Sequence, residues 1–397
     1  SEALRIHDER LTKVSNKDVS MCFLPLTHIF EKAWSYYCLH KGITVAINKD
    51  PRVIQKTIKE IRPTLMSSVP RFWEKVYTGV NEQINSSGKF MQKVFKHAIE
   101  TGRRHNLDYR NEGIKPPLWL SIKFQFYKAT IFYLLKYVVG INRGNIFPCA
   151  GAPLSDNINT FLQSVDIHII YGYGLTETTA TVTCFPFEGF KIGTVGTVMP
   201  GVEVKIGDDN EILVKGATVM SGYYNLPEET ANVFTADGYF RTGDAGYLTD
   251  EGELVLTERI KDLYKTSNGK YIAPQMIETR LAEDNYIDMV AVIGDERKFV
   301  SGLIVPNYEA LEEYAREHAI PFSTREELVA NEDIKNFMYA RVELKQVLFT
   351  SFEKIKKFVL LPRAFTIEDG ELTNTLKLRR KVILENYSAE IESMYVE

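Results

Sequence analysis

The chain runs to 397 residues, of which 44% are hydrophobic and 25% charged, with a formal net charge of -4. Those proportions suit two or more globular domains with sizeable cores and exclude a disordered chain. The slight acidic balance gives no general pull toward nucleic acid or an anionic membrane, although basic patches can form locally. Cys22, Cys38, Cys149 and Cys184 stand far apart, with no CxxC pair and no histidine at ligand spacing. They read as reduced core thiols of a cytosolic protein. The N-terminus lacks the apolar run of a signal peptide and begins in charged text without methionine, as an N-terminally truncated fragment would. The most apolar region, from Pro117 to Gly140, is broken by Lys123, Lys128 and Lys136. No uncharged run approaches the roughly 20 residues of a spanning helix.

In chain order, a β-prone run from Val19 to Leu24 leads through Pro25-Leu-Thr-His28 to a helix over 29–41. Ile43 to Ile47 predicts a strand, Pro51 opens a helix with Ile54, Ile58 and Ile61 on one face, Thr64 to Val69 predicts a strand, and Pro70 starts another helix. Strand-helix alternation of this kind argues α/β architecture: a parallel-sheet core with flanking helices, whose ligands gather at the carboxyl ends of the strands. Residues 71–142 interrupt the rhythm with a long helical excursion. Its stretch from Phe124 to Tyr137 reads either as a helix buried between layers or as a surface helix meeting lipid or an acyl chain, its lysines snorkelling outward.

The sheet pattern resumes at Asn145 to Cys149, ends in Ala150-Gly-Ala-Pro-Leu-Ser155, passes a helix to Gln163, and returns in Ile167 to Ile170. Next comes Tyr171-Gly-Tyr-Gly-Leu-Thr-Glu-Thr-Thr179. Gly172 and Gly174 let a ligand come close, Thr176, Thr178 and Thr179 offer hydroxyls to phosphate, and Glu177 can hold a hard cation such as magnesium. A capped glycine turn before a helix carries the same letters. The small residues Gly151, Ala152 and Pro153 let a flat ring lie on the backbone, and a helix start with proline in its first turn would look alike.

Beyond Gly189 short β runs with glycine turns predict a small barrel-like subdomain. It holds Tyr239-Phe-Arg-Thr-Gly-Asp244 and Glu258-Arg-Ile-Lys-Asp262, in which Asp244 can accept hydrogen bonds from a sugar diol and Arg259 can donate to sugar or phosphate. A β-turn and a surface ion pair are the plainer reading of both. Ser267-Asn-Gly-Lys270 signals a hairpin. Further strands at 289–293, 299–305 and 358–361, with helices over 308–318 and 333–357, make a separate α+β module with a basic helical tail. The expected domains are a partial large α/β nucleotide- and acyl-binding domain over 1–188, its β-rich subdomain over 189–260, and a mobile α+β C-terminal domain over 261–397.

Six motifs in this order, Pro25–His28, Ala150–Ser155, Tyr171–Glu177, Tyr239–Asp244, Glu258–Asp262 and Leu372-Thr-Asn-Thr-Leu-Lys377, resemble those of the adenylate-forming (AMP-binding) ligase superfamily. The helical excursion and the leucine before Lys377 resemble the long-chain fatty acyl-CoA synthetase branch. The resemblance implies that a fatty carboxylate attacks MgATP to give acyl-AMP and pyrophosphate, and that coenzyme A then displaces AMP. It implies ATP and AMP contacts from Gly151, Ala152, Pro153, Tyr171, Gly172, Tyr173, Gly174 and Thr176. Asp244 and Arg259 would contact the ribose, Glu177 would hold magnesium, and Lys377 would be the mobile catalytic lysine, acting with Thr176 and Glu177. Lys261 matches the hinge, Asn268 and Gly269 the surface facing coenzyme A, and His28, with Trp34 more loosely, the acyl pocket.

The family's phosphate loop, which normally precedes the segment matching Leu4–His7, is missing. This chain alone is therefore expected to adenylate poorly and to leave an open sheet edge. Partners are then fatty acid, ATP and coenzyme A, with no nucleic acid, and with room for peripheral membrane contact and for oligomers. A ligase for an aryl or amino acid and a non-catalytic nucleotide-binding module are the alternatives.

Overall fold

The computed structural model describes all residues except 51, 52, 180, 260–262, 374, 375 and 397. The chain divides into two compact units, Ser1–Ile260 and Lys261–Glu397.

In the first unit, β1 (Val19–Cys22) pairs in parallel with β2 (Thr44–Ile47). β3 (Phe147–Cys149) pairs in parallel with β4 (Ile169–Tyr173). The segment between these pairs joins them only through parallel bridges, Ser20 to Leu65, Leu65 to Ile146 and Ser68 to Cys149. The regular strand expected over 64–69 does not form. Pro148 has no N–H to give to a ladder, and the Ser68 hydroxyl instead donates to the Pro148 carbonyl at 2.8 Å. The Ser67 hydroxyl donates to the buried Glu31 carboxylate at 2.7 Å. Across the sheet the order is thus β2, β1, residues 65–68, β3, β4, with all carboxyl ends on one edge. β5 (Thr183–Cys184) and β6 (Thr197–Val198) extend it antiparallel beyond β4.

Helix α1 (Glu2–Arg10) precedes this sheet, and α2 (Ile29–His40) connects β1 to β2. α3 (Ile54–Ile61) follows β2, with Ile58 fully inward. The core between sheet and helices holds Met21, Tyr37, Leu65, Trp73 and Phe147.

The excursion consists of α4 (Pro70–Asn85), α5 (Lys89–Arg103), a π-turn over Arg104–Arg110, then α6 (Leu118–Tyr127), a second π-turn over Lys128–Phe132, and α7 (Tyr133–Val139). Pro70 sits in the first turn of α4, where its missing N–H costs nothing, and Gly140 closes α7 at φ 96°. α6 and α7 are neither wholly buried nor wholly exposed. Leu120, Phe124, Tyr127, Phe132 and Leu135 pack inward, and the opposite side, equally apolar, faces solvent. The inward side is pinned by Lys136, a buried cation that donates to the Asp166 carboxylate at 2.8 Å. α8 (Asp156–Ser164) leads into β4; Pro153 lies before its N-cap, Ser155, and not inside its first turn.

The rest of this unit is a four-stranded antiparallel half-barrel. It is ordered β10 (Leu254–Arg259), β9 (Phe240–Leu248), β8 (Glu211–Gly216), β7 (Val202–Ile206).

The second unit is built on β13 (Ile287–Ile293), β14 (Ser301–Pro306) and β15 (Lys357–Leu360), preceded by the hairpin β11 (Tyr264–Lys265) and β12 (Tyr271–Ile272). β13 and β14 are antiparallel; β14 and β15 are parallel. Helices Pro274–Leu281, Tyr308–Glu317 and Glu332–Lys345 cover the sheet around Leu281, Leu303, Leu311 and Met338. The last helix stops well short of residue 357. The buried Gln346 amide accepts from the Ile355 N–H at 3.0 Å and donates to the Ile355 carbonyl at 3.3 Å, closing residues 346–355 into a loop. All four cysteines are free and buried. Among the described residues no helix is long and apolar enough to cross a membrane.

Candidate active site

Two loops leave the same sheet edge side by side, one after β3 and one after β4, and Tyr171 ties them together. Its buried hydroxyl accepts from the Leu154 N–H at 3.0 Å and donates to the Ala152 carbonyl at 3.1 Å. Burial raises the Tyr171 pKa well above the phenol range, so it remains a donor. The tyrosine thereby shapes the Gly151–Pro153 loop from below. Gly151 sits at φ 94° with open space where a side chain would project, a backbone surface that a flat ring can approach. Gly172 has the opposite surroundings: a Cβ there would come within 2.7 Å of the Thr183 carbonyl, so glycine lets β4 lie close against β5. Tyr171, Gly172 and Tyr173 are strand residues, and the loop proper begins at Gly174.

Thr176–Thr178 form a single 3-10 turn. The three threonines, expected alike to face phosphate, divide. Thr178 is fully buried and caps the turn, accepting from the Leu175 N–H at 2.9 Å. Thr179 donates to the Thr218 carbonyl at 2.6 Å. Thr176 is exposed, and among the described residues its hydroxyl meets no protein partner. Glu177 accepts from the Tyr223 hydroxyl at 3.0 Å, while its carbonyl accepts from the Met220 N–H at 2.7 Å. Tyr223 carried no local sequence signal, because only the fold brings it to Glu177.

Asp244 lies within β9, not in a turn, and is buried. Its Oδ2 accepts from the Tyr173 hydroxyl at 2.6 Å, and its Oδ1 lies 3.4 Å from Nε of the half-exposed Arg259. Burial and then the Asp244 charge push the Tyr173 pKa far up, so the phenol keeps its proton. The fold therefore brings Tyr173, Asp244 and Arg259 together, with Thr176 and Glu177 close along the chain.

Beside these loops lies a small, mainly apolar pocket lined by Phe30, Trp34 and Tyr37 of α2, by Ile170, Gly172 and Tyr173, and by His7 and Thr181. Trp34 donates from its indole N–H to the Ser20 hydroxyl at 3.0 Å, which fixes its ring in the wall. His28 lies at the N-cap of α2, where Nδ1 accepts from the Phe30 N–H at 3.2 Å, so it sets the start of the helix that supplies this wall. His7 went unread in the sequence. Burial lowers its pKa; the neutral ring lies 2.5 Å from the Ala3 carbonyl through Nδ1 and 3.1 Å from the Thr181 hydroxyl through Nε2. The spacing of Phe30, Trp34 and Tyr37 on one helix face was the available signal for the wall.

In the second unit Lys377 is exposed; its N–H donates to the Thr373 hydroxyl at 3.0 Å and its carbonyl accepts from the Thr373 N–H at 2.8 Å. Nearby, buried Glu371 accepts from the two terminal nitrogens of Arg363 at 2.7 and 2.9 Å. Asn268 and Gly269 form the tip of the β11–β12 hairpin; Gly269 has φ 74° and open space around it. Lys261 lies outside the described residues.

Among the described residues no three metal-binding side chains cluster. One carboxylate, Glu177, with an exposed hydroxyl two atoms' reach along the backbone, suits magnesium, which takes most of its ligands from phosphate and water.

Residues 2–224 match the family model described as AMP-binding enzyme. The chain belongs to the AMP-binding enzyme family. Residues 261–397 match the model of the AMP-binding enzyme C-terminal domain. Among its relatives in this family, a long-chain-fatty-acid–CoA ligase of Mycobacterium bovis is 33% identical over 94% of this chain and 62% of its own length. A long-chain-fatty-acid–CoA ligase of Schizosaccharomyces pombe is 30% identical over 98% of this chain and 60% of its own. These relatives assign the chain to the long-chain acyl-CoA synthetase branch of the AMP-binding enzymes. It spans about three fifths of their length. The adenylation domain of a carboxylate reductase from Mycobacterium chelonae shares the fold, with a TM-score of 0.72 at 23% identity over 96% of this chain and 54% of that one.

Proposed function

We propose that this chain carries the adenylation and thioester-forming machinery of a long-chain fatty acid–CoA ligase. The fatty carboxylate attacks the α-phosphate of ATP, forming acyl-AMP and releasing pyrophosphate; the thiol of coenzyme A then attacks the acyl carbonyl and AMP leaves. The observation that carries this reading is the convergence of the Tyr173–Asp244–Arg259 cluster and the Thr176–Glu177 turn beside a pocket walled by Phe30, Trp34 and Tyr37.

Each residue has a task that its surroundings support. Gly151, Ala152 and Pro153 offer backbone to the adenine, with Tyr171 holding that loop in shape. Asp244 accepts from the ribose hydroxyls, oriented by the Tyr173 phenol, and Arg259 donates to the same sugar. The Thr176 hydroxyl is directed to phosphate. Glu177 would hold magnesium, which when bound neutralises charge on the phosphates. The mainly apolar wall of Phe30, Trp34 and Ile170 accepts the acyl chain. Lys377, exposed and paired through its backbone with Thr373, bridges α-phosphate and carboxylate as charge develops. Rotation about Lys261 then exchanges Lys377 for the surface at Asn268 and Gly269 in the second half-reaction.

The test uses the protein carrying this chain at the length of its relatives. Lys377→Ala should lower pyrophosphate exchange by about 10²- to 10³-fold, as loss of a transition-state donor does, while thioester formation from supplied acyl-AMP survives. Equal loss of both half-reactions removes the assigned role. Competition among fatty, aryl and amino acids as substrates decides the carboxylate class.

A further inference from the structure

We infer that Tyr223 is a positioning residue for the metal: its phenol holds one oxygen of the Glu177 carboxylate and leaves the other to a divalent cation carried by the nucleotide phosphates. The inference rests on the proposed role of Glu177 as the magnesium ligand.

The segment that follows β8 clasps the Thr176–Thr178 turn at three points. The Thr179 hydroxyl donates to the Thr218 carbonyl at 2.6 Å, the Met220 N–H donates to the Glu177 carbonyl at 2.7 Å, and the Tyr223 hydroxyl donates to Oε1 of Glu177 at 3.0 Å. The first two place the backbone. Thr179 is β-branched yet left-handed, at φ 51° and ψ 53°, a conformation that persists only where the surroundings hold it. With those two bonds made, the phenol adds little to where the turn lies, and what it fixes is the carboxylate. The last torsion of a glutamate is broad, so an unheld carboxylate swings between offering one oxygen and offering both. Here Oε1 is occupied by the phenol, while Oε2 meets no protein donor among the described residues. One oxygen offered in a fixed direction suits magnesium, which demands near-octahedral geometry and fills most positions with water and phosphate.

The phenol is itself aimed from behind. The Tyr223 N–H donates to the Thr230 hydroxyl at 2.9 Å, and that hydroxyl donates to the Leu226 carbonyl at 2.8 Å, fastening the tyrosine to the short helix Pro227–Asn232. A Cβ on Gly222 would come within 2.7 Å of the Thr230 methyl, so glycine is what lets the chain pass this close. Of the two adjacent tyrosines, only Tyr223 turns in; Tyr224 is 90% exposed.

The test uses the protein carrying this chain at the length of its relatives, with α,β-methylene-ATP, whose phosphates are not cleaved at the adenylation bond, and Mn2+, which takes the same oxygen ligands as magnesium. Electron paramagnetic resonance reads the Mn2+ held by the protein–analogue complex, and calorimetry in EDTA reads the metal-free affinity for the analogue. Tyr223→Phe removes one oxygen from a half-buried ring. It should raise the half-saturating Mn2+ concentration about 10- to 100-fold, the usual loss when a partner of a metal ligand is removed, with the affinity in EDTA and the melting curve unchanged. In a Glu177→Gln background the same change should have no further effect on Mn2+. If Glu177→Gln weakens Mn2+ binding and Tyr223→Phe does not, the positioning role is overturned and the role of Glu177 stands. If Glu177→Gln leaves Mn2+ binding intact, the role of Glu177 fails and this inference with it. Equal losses with and without metal, or a Tyr223→Phe effect that persists beside Glu177→Gln, would make the tyrosine a general support of the loop and overturn the inference as well.

Discussion

Asp166 and Asp244 are both buried aspartates of the first unit beside basic side chains, yet the nature and exposure of those partners differ. Asp166 is ringed by Lys136 at 2.8 Å, Lys128 at 3.1 Å and His168 at 3.5 Å. Asp244 accepts from the Tyr173 phenol at 2.6 Å through Oδ2, and its Oδ1 lies 3.4 Å from the Nε of Arg259, which is half in solvent. Burial alone would raise the Asp166 pKa; the His168 hydrogen bond and the Lys136 charge overcome it and hold the carboxyl far below its ordinary value. The first aspartate is saturated by protein and fastens α7 to the sheet. The second is held through one oxygen by the Tyr173 phenol, and its basic neighbour, Arg259, is half in solvent where Lys136 is buried.

The largest effect should come from breaking the saturated cluster. Asp166→Ala leaves the Lys136 ammonium buried with only the Asp166 carbonyl at 3.2 Å, and should cost about 3–5 kcal/mol in urea unfolding. Because the folded pKa is depressed, the stability that Asp166 contributes is present above its unfolded value near 3.8 and is lost as pH falls below it. Melting temperatures of the variant should therefore vary less than wild type on acidification. Equal slopes would show that Asp166 is not the group responsible.

Asp244→Asn sharpens the contrast from the other side. It keeps an acceptor for Tyr173, so the cost to stability should stay within about 1 kcal/mol. Affinity for an acyl-adenylate analogue, measured by calorimetry, should fall about 10- to 100-fold through loss of a charged acceptor. A large loss of stability with intact affinity would make Asp244 a second structural clip.

The smallest pair separates neighbours. Thr178→Val removes the buried cap and should cost about 1 kcal/mol, whereas Thr176→Val should leave stability unchanged and lower turnover in the longer protein. Identical behaviour of the two would dissolve the distinction between spent and outward hydroxyls.

The α/β alternation, the glycine hairpin at Asn268 and Gly269 and the two loops at one sheet edge were legible because each rests on local pattern: period, proline, turn residues. What escaped depended on partners distant in sequence. Residues 64–69 have strand letters, but Pro148 across the sheet withholds the N–H that a ladder needs. Thr176 and Thr178 look alike until burial distinguishes them. Tyr223 reaches Glu177, and Gln346 ends a helix by bonding to Ile355, only after the chain has folded. The two sides of α6 and α7 were ambiguous for a related reason: apolar letters on both faces do not say which one the protein covers.

The four buried thiols have a practical consequence. Burial, helped for Cys22 by the nearby Glu31 charge, pushes Cys22 up to about 11; burial likewise takes Cys184 to about 11 and Cys38 to about 12. Cys149 is raised further still. At neutral pH the native chain is thus chemically quiet toward maleimides, since the thiolate is the reacting form. A single cysteine introduced at Asn268 or Lys123 would be the fast-labelling thiol, so dyes could follow the hairpin tip or the helix face with every native cysteine left in place.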